Sequence, residues 1–306
     1  MQPSTLLGRL PGLRHFIEVA RQGSFRAAAD KLHVAPSAVS KQIKNLELAL
    51  DTELFRRDRG RGGLELTEAG EILMFRCASV VNELTIAQDE IAELRGLQRG
   101  ELRLGVNEVL ASDLLPGILR DMSYNHPGLK FHIVVENTRE IVQRLQEGEI
   151  DIGLGYNFPP TPEIETLATL RRRTYAITSL DHPMARLRQV RLSEIDGEKV
   201  IFPDTSIPMR HLLENALAQA GVEVREVMNT NSFTLLRQMV ESGMGIGIVF
   251  GSFLQIRRER LAFVELLDLP FESPPVACCR MAGRAPTASS AAFAASIKTI
   301  FVNYGG

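Results

Sequence analysis

Cysteine is scarce in this chain: three residues, Cys77, Cys278 and Cys279, in 306. An odd and sparse count excludes a disulfide scaffold. Long apolar runs are also missing. The longest uncharged stretch, near Ser242–Ile256, covers about 15 residues and is interrupted by glycines, too short and too broken to span a bilayer. No cationic-then-apolar leader opens the chain, because Pro3, Gly8 and Arg9 interrupt its start. The expected setting is the cytoplasm, with reduced thiols. Catalytic signatures are lacking too: HExxH, GxSxG, GxGxxG and GxxxxGK do not occur. The six His are scattered and no His–Cys set has zinc spacing. Cys278 and Cys279 are neighbours on an expected strand, so they point to opposite faces and cannot share a metal. No catalytic residue, metal or cofactor is expected.

What is present suggests an ordinary globular protein, 44% hydrophobic and 24% charged. At about 150 residues per domain, its length suggests roughly two domains. The net charge of −2 hides an asymmetry. Residues 1–66 hold eleven Lys/Arg against seven Asp/Glu, a net +4. The remainder holds 24 against 30, a net −6. A basic head on an acidic body suits a polyanion partner for the head, although many solvated domains carry as much charge.

In the head, Leu13, Phe16, Ile17 and Ala20 fall on one helical face. Gly23 stops that helix and Ser24 can cap the next, where Phe25, Ala28, Ala29 and Leu32 repeat the spacing. After a turn at His33–Pro36, a third helix runs to about Leu50, with Val39, Ile43, Leu46 and Leu50 as its expected buried stripe. Its opposite stripe is Ser37, Ser40, Lys41 and Lys44. Short hydroxyls and cations near a helix start suit entry into a major groove: donors for base edges, charge for phosphates and no bulk. Two helices joined by a short turn form a helix-turn-helix pattern. The alternative is the solvated face of a small bundle. Beyond it, Arg56, Arg57, Arg59 and Arg61 surround Gly60, Gly62 and Gly63, and Leu64 and Leu66 alternate with Glu65. This reads as a hairpin with a basic tip, a wing within reach of phosphates or the minor groove; the alternative is a surface loop.

The stretches FIEVARQGSFRAAADKLHVAPSAVSKQIKNLELALDTELFRR and LTEAG, within Leu13–Gly70, resemble the winged helix-turn-helix of LysR-type transcriptional regulators in order, spacing and length. The resemblance assigns Ser37, Ser40 and Lys41 to base edges or the groove, and Arg57, Arg59 and Arg61 to phosphates. One departure stands at Ala35-Pro36-Ser37, where many members have Ser-Gln-Pro. Ala35 is a poor cap, offset by Pro36 presetting the first turn. The Gln that often reads a base is absent, so an operator sequence cannot be borrowed from relatives.

From Glu68 to about Leu97, Leu73, Cys77, Val80, Leu84, Ala87, Ile91 and Leu94 keep a heptad seam. A seam without a partner in the chain implies a second chain; the alternative is a core helix of the next domain. The resemblance agrees with the first reading, since it places a dimerising linker helix here. Two heads related by a two-fold axis would read a pseudo-palindrome.

From Gly100 strands alternate with helices, which implies an α/β body with a mostly parallel sheet. The expected elements are strands near 102–106, 129–135, 150–155, 200, 222–227, 245–250 and 276–281. The helices lie over 112–124, from Asn137 to Gly148, and over 209–220, 232–241 and 288–302. GELRLGV, the LLP at 114–116, EGEIDIGLG, HPMARLRQVRLSEIDGE and SGMGIGIVF resemble the effector-binding domain of the same family. That domain has two subdomains similar to those of periplasmic solute-binding proteins. By resemblance the first is about 100–171 plus 276–303 and the second about 172–275. The whole chain then divides into a DNA-binding domain over 8–67, a linker helix over 68–97 and an effector domain over 98–306.

In such sheets ligands sit at strand C-termini facing helix N-termini, whose amides favour anions. The corresponding polar residues are Asn107 and Thr138, then Ser206 and Ser232, with Arg210 available to a carboxylate. Thr138 also suits a capping role with Asn137, and Arg210 a solvated charge. The expected protein is a LysR-type regulator acting on double-stranded DNA as a homodimer or homotetramer. It would sense a small-molecule effector, a carboxylate among the candidates, and bend DNA or recruit RNA polymerase. The alternatives are an architectural DNA binder without a ligand and an α/β enzyme.

Overall fold

The computed structural model describes residues 10–57, 64–94, 100–205, 207, 209–251 and 260–304. The head packs α1 (Pro11–Gln22), α2 (Phe25–Leu32) and α3 (Pro36–Leu50) around Phe16, Val19, Ala28, Ala29, Val39 and Ile43. Ser24 caps α2 by accepting from Ala27 N at 3.4 Å. Pro36 opens α3 without a side-chain cap. The chain then forms an antiparallel hairpin of β1 (Phe55–Arg57) and β2 (Leu64–Leu66), with Phe55 opposite Leu66. The expected stripe on α3 holds for Val39 and Ile43 and, in part, for Leu46. Leu50 instead is 46% exposed, because the last turn outruns the three-helix core.

The linker is α4 (Glu68–Leu94), 27 residues and about 40 Å long. Its expected seam is divided. Leu73 and Cys77 pack with Met74 into the head's own core, so that first heptad is not free for a partner. Ala78 and Asn82 are buried, and Asn82 Nδ2 donates to Ala285 O at 2.9 Å on the body. Leu84 and Ala87 are half-buried. Val80 and Ile91 remain open, 41% and 51% exposed.

The body crosses twice between two sheets. The first subdomain comprises β3 (Gly100–Val106), α5 (Glu108–Asp113), α6 (Leu115–Asn125), β4 (Leu129–Val135), α7 (Thr138–Gln146), β5 (Ile152–Tyr156) and β6 (Ile164–Leu170). The second holds β7 (Thr174–Ser179), β8 (Gln189–Val190), β9 (Lys199–Pro203), α8 (Met209–Ala220), β10 (Arg225–Thr230), α9 (Phe233–Glu241), β11 (Ile246–Phe250) and β12 (Leu261–Leu266). The chain returns through β13 (Val276–Met281) and α10 (Ala288–Tyr304) to the first. The sheet orders are β4-β3-β5-β13-β6 and β10-β9-β11-β7-β12-β8.

Both sheets are mostly parallel, as expected, with one reversed strand in each. β13 runs antiparallel to β5 and β6, and β7 antiparallel to β11 and β12. These strands lie beside the two crossings, so their direction follows from the exchange of the chain between sheets. The expected helix over 112–124 is two helices, α5 and α6, meeting at Leu114, with Pro116 in the first turn of α6. The strand expected at 222–227 lies at 225–230. Cys278 and Cys279 do face opposite sides of β13, one in the core under α6 and α10 and the other in the core under α7. Burial pushes their thiols up to about 12 and about 11, and that of Cys77 to about 11. No helix among the described residues is long and apolar enough to cross a membrane.

Candidate DNA-binding surface and effector cleft

On the head, Ser37, Ser40, Lys41 and Lys44 are all exposed on one face of α3, opposite the buried Val39 and Ile43. The geometry presents two hydroxyls and two ammonium groups along one side of a helix whose other side is fixed by the core. Arg57 lies on β1; Arg59 and Arg61 fall outside the described residues. Arg56 on the same strand pairs with Glu65 at 3.3 Å. The hairpin is tied to the helices where Leu64 N donates to Gly23 O at 3.1 Å and Thr67 N to Leu54 O at 3.0 Å.

In the body, the C-terminal ends of β3, β4 and β5 converge on Asn107. Its Nδ2 donates to Glu136 O at 2.8 Å, and its Oδ1 accepts from Tyr156 N at 2.9 Å. Thr138 Oγ1 donates to Tyr156 O at 2.7 Å and lies 3.4 Å from Asn107 Oδ1. Asn137 and Glu140 form the capping box that the sequence implies at the start of α7. Asn107 and Thr138 are thus brought together as expected, but their polar atoms stitch the strand ends.

On the second subdomain, Ser232 caps α9, accepting from Leu235 N at 3.3 Å. Its hydroxyl donates to Glu108 Oε1 at 2.8 Å. Glu108 also accepts from Phe233 N at 2.9 Å and Thr234 N at 3.1 Å. Desolvation raises the Glu108 carboxyl, but these hydrogen bonds outweigh it and hold the group below its ordinary value. A second bridge runs from Arg237 Nη1 to Asp113 Oδ1 at 2.5 Å, with Nη2 donating to Ser112 Oγ at 2.9 Å.

Arg210 is not brought to this group. It donates to Glu214 at 2.6 Å and Glu226 at 2.7 Å, and its guanidinium lies 4.3 Å from the centre of the Phe202 ring. The carboxylates hold its pKa up, the Glu226 hydrogen bond most of all, although partial burial opposes them. Ser206 lies outside the described residues.

Sequence reasoning missed Glu108, Asp113, Arg237 and Tyr156. The first three gain meaning only from pairing across more than a hundred residues of chain. Tyr156 ends β5 with its ring 6.5 Å from that of Phe250. Its buried hydroxyl has no hydrogen-bond partner among the described residues, and desolvation raises its pKa. The one signal available for Tyr156 was its place at a strand C-terminus. No group of His, Cys, Asp and Glu among the described residues is arranged to hold a metal.

Comparison with known proteins places both halves. Residues 10–71 match the bacterial regulatory helix-turn-helix protein, lysR family, and residues 95–301 match the LysR substrate binding domain. A probable RuBisCO transcriptional regulator of Emiliania huxleyi is 30% identical over 241 residues, 76% of this chain and 75% of that protein. The RuBisCO operon transcriptional regulator of Allochromatium vinosum is 28% identical over 83% of each chain. Among solved structures, a single-substitution variant of full-length OxyR from Pseudomonas aeruginosa superposes with a TM-score of 0.66 at 19% identity, covering 94% of this chain and 93% of that one. Full-length CbnR in complex with its target DNA superposes with a TM-score of 0.56 at 24% identity, covering 95% and 99%. These two structures share the fold.

Proposed function

The chain belongs to the LysR family of transcriptional regulators, and we propose that the exposed face of α3 enters a DNA groove while the cleft between the two subdomains receives the effector. Ser37, Ser40 and Lys41 contact base edges or the groove floor. Lys44 and the wing arginines Arg57, Arg59 and Arg61 contact phosphates. The single observation that carries this reading is the polar, cationic face of α3 held outward by a buried apolar one. Phosphate contacts displace counterions, so affinity must depend steeply on salt. The protein acts in the cytoplasm without catalysing a reaction. It assembles as a dimer or tetramer through the open positions of α4, Val80 and Ile91, with Leu84 and Ala87 between them.

The effector reading uses the same turns that the sequence nominates, Asn107, Thr138 and Ser232, with Tyr156 as a further polar contact. Arg210 has no part in it, since its charge is spent on Glu214 and Glu226. Two of the relatives named above are a probable RuBisCO transcriptional regulator and a RuBisCO operon transcriptional regulator; with the groove-facing Gln of many members replaced here, that operon is not carried over.

The test titrates full-length protein into a mixed-sequence 30-base-pair duplex at several salt concentrations, using fluorescence anisotropy. Log affinity should fall linearly with log salt, and Lys44→Ala, which removes one phosphate contact, should reduce the slope by about 1 while leaving the circular dichroism unchanged. An unchanged slope would remove Lys44 from the phosphate contacts.

A further inference from the structure

The cleft already has an occupant, the chain's own carboxylate. Glu108 stands in the first turn of α5, immediately after the Asn107 turn of the first subdomain. Its side chain crosses to the second subdomain. There it accepts from Ser232 Oγ, Phe233 N and Thr234 N, the groups at the N-terminus of α9. Helix N-termini leave amides without partners inside the helix and carry the positive end of its dipole. The contacts that an anionic ligand would make at this end of the helix are therefore already made within the chain.

The grip is double. On the same short helix, Asp113 and Ser112 hold Arg237 of α9. The side chains of Asp113 and Arg237 are only 1% and 14% exposed, so this pair is shielded from water and salt. Asn107 and Thr138 are also committed, bonding to strand ends of the first subdomain.

We propose that Glu108 is a tethered stand-in for an anionic ligand, latching α5 to α9 and holding the subdomains together when no effector is bound. The proposal rests on the effector-cleft reading above. An effector carboxylate or phosphate gains the α9 amides only by expelling Glu108. The tether gives Glu108 a high effective concentration, so simple anions do not compete with it. Apparent affinity for an anionic effector is lowered by the fraction of molecules in which the latch is shut. Binding and latch release are then one event, and the relation of α5 to α9 is what the effector resets.

The test uses the full-length chain, the variants Glu108→Ala and Glu108→Gln, and acetate as the probe, with chloride at equal ionic strength as control. Hydrogen exchange is followed by mass spectrometry in the segment 231–237. Glu108→Ala should raise exchange there by about 10-fold, the loss expected when charge-assisted hydrogen bonds are removed. About 100 mM acetate should return it toward the wild-type rate and raise the Tm of the variant, and do neither for wild type. Glu108→Gln, which keeps one carbonyl acceptor, should show a smaller rise and no response to acetate. Wild-type exchange in both variants would overturn the latch, as would an equal acetate response in wild type and Glu108→Ala. Should Glu108→Ala fail to fold, Glu108→Gln decides alone, and unchanged exchange in it overturns the proposal. Neither DNA nor the natural effector enters these measurements, so their failure leaves the regulator reading standing.

Discussion

At Gly70 a Cβ would lie 2.2 Å from the carbonyl oxygen of Leu54 and 2.9 Å from Leu66 Cδ2. The glycine of the LTEAG stretch is thereby explained by packing: the start of α4 lies directly on the backbone that feeds the wing. Leu54 is fully buried and its carbonyl accepts from Thr67 N, so this backbone cannot move aside cheaply. Gly70→Ala should destabilise the head by about 1–3 kcal/mol, the usual cost of overpacking a tight site. Urea denaturation of the variant against wild type checks this, and an unchanged midpoint would mean that the linker start yields freely. Residues of this kind were partly legible in the sequence. Ser24, Asn137 and Glu140 announce their caps because capping is local chemistry. Arg210 could not be placed in the same way, since whether a charge faces a ligand or two glutamates is decided by partners four and sixteen residues along the chain.

Elements with a clear apolar period and a capped start were readable along the chain: α8 occupies its expected span, and α9 starts one residue after its Ser232 cap. β6, β7, β8 and β12 were not anticipated. They flank the crossings or end a sheet, and a strand pattern read one segment at a time carries no information about which sheet the chain enters. α5 was hidden for a related reason, being six residues long and ended before Pro116. Yet α5 carries both bridges to α9, and its contact has a defined pH dependence. The folded pKa of Glu108 is depressed, so the latch stabilises fully above the ordinary carboxylate value. That contribution is lost as pH falls through the lowered folded value. Asp113 and Arg237 are the other charged groups of this α5–α9 contact, and they are common to wild type and Glu108→Gln. The difference in Tm between the two proteins should therefore stay constant above about pH 5.5 and shrink in more acid solution. A difference that grows on acidification would reverse the sign and exclude a charged Glu108 from the contact.

Across the whole molecule, the head rests on the body through a short polar chain. Arg21, in the last turn of α1, places Nε 3.3 Å from Glu149 Oε1 and Nη2 3.5 Å from Glu147 O. Glu149 is shared with Arg144 at 2.5 Å, and Arg144 also grips Glu136. The carbonyl of Glu136 accepts from Asn107, in the turn that follows β3. A continuous set of hydrogen bonds and ion pairs thus joins the DNA-binding head to the turn preceding Glu108. Spatial continuity alone does not establish coupling; an energetic test does. The Arg21–Glu149 pair is partly exposed, 14% and 23%, so its strength should lie near the upper end of surface pairs. A double-mutant cycle of Arg21→Ala and Glu149→Gln, read by urea denaturation of the full chain, should give a coupling of about 0.5–1 kcal/mol. Small-angle scattering should show a larger radius of gyration for either single variant, because the head then loses its hold on α7 and hinges about α4. Strict additivity together with unchanged scattering would mean that the head is carried by α4 alone, and that any signal from the cleft must reach DNA through the linker helix.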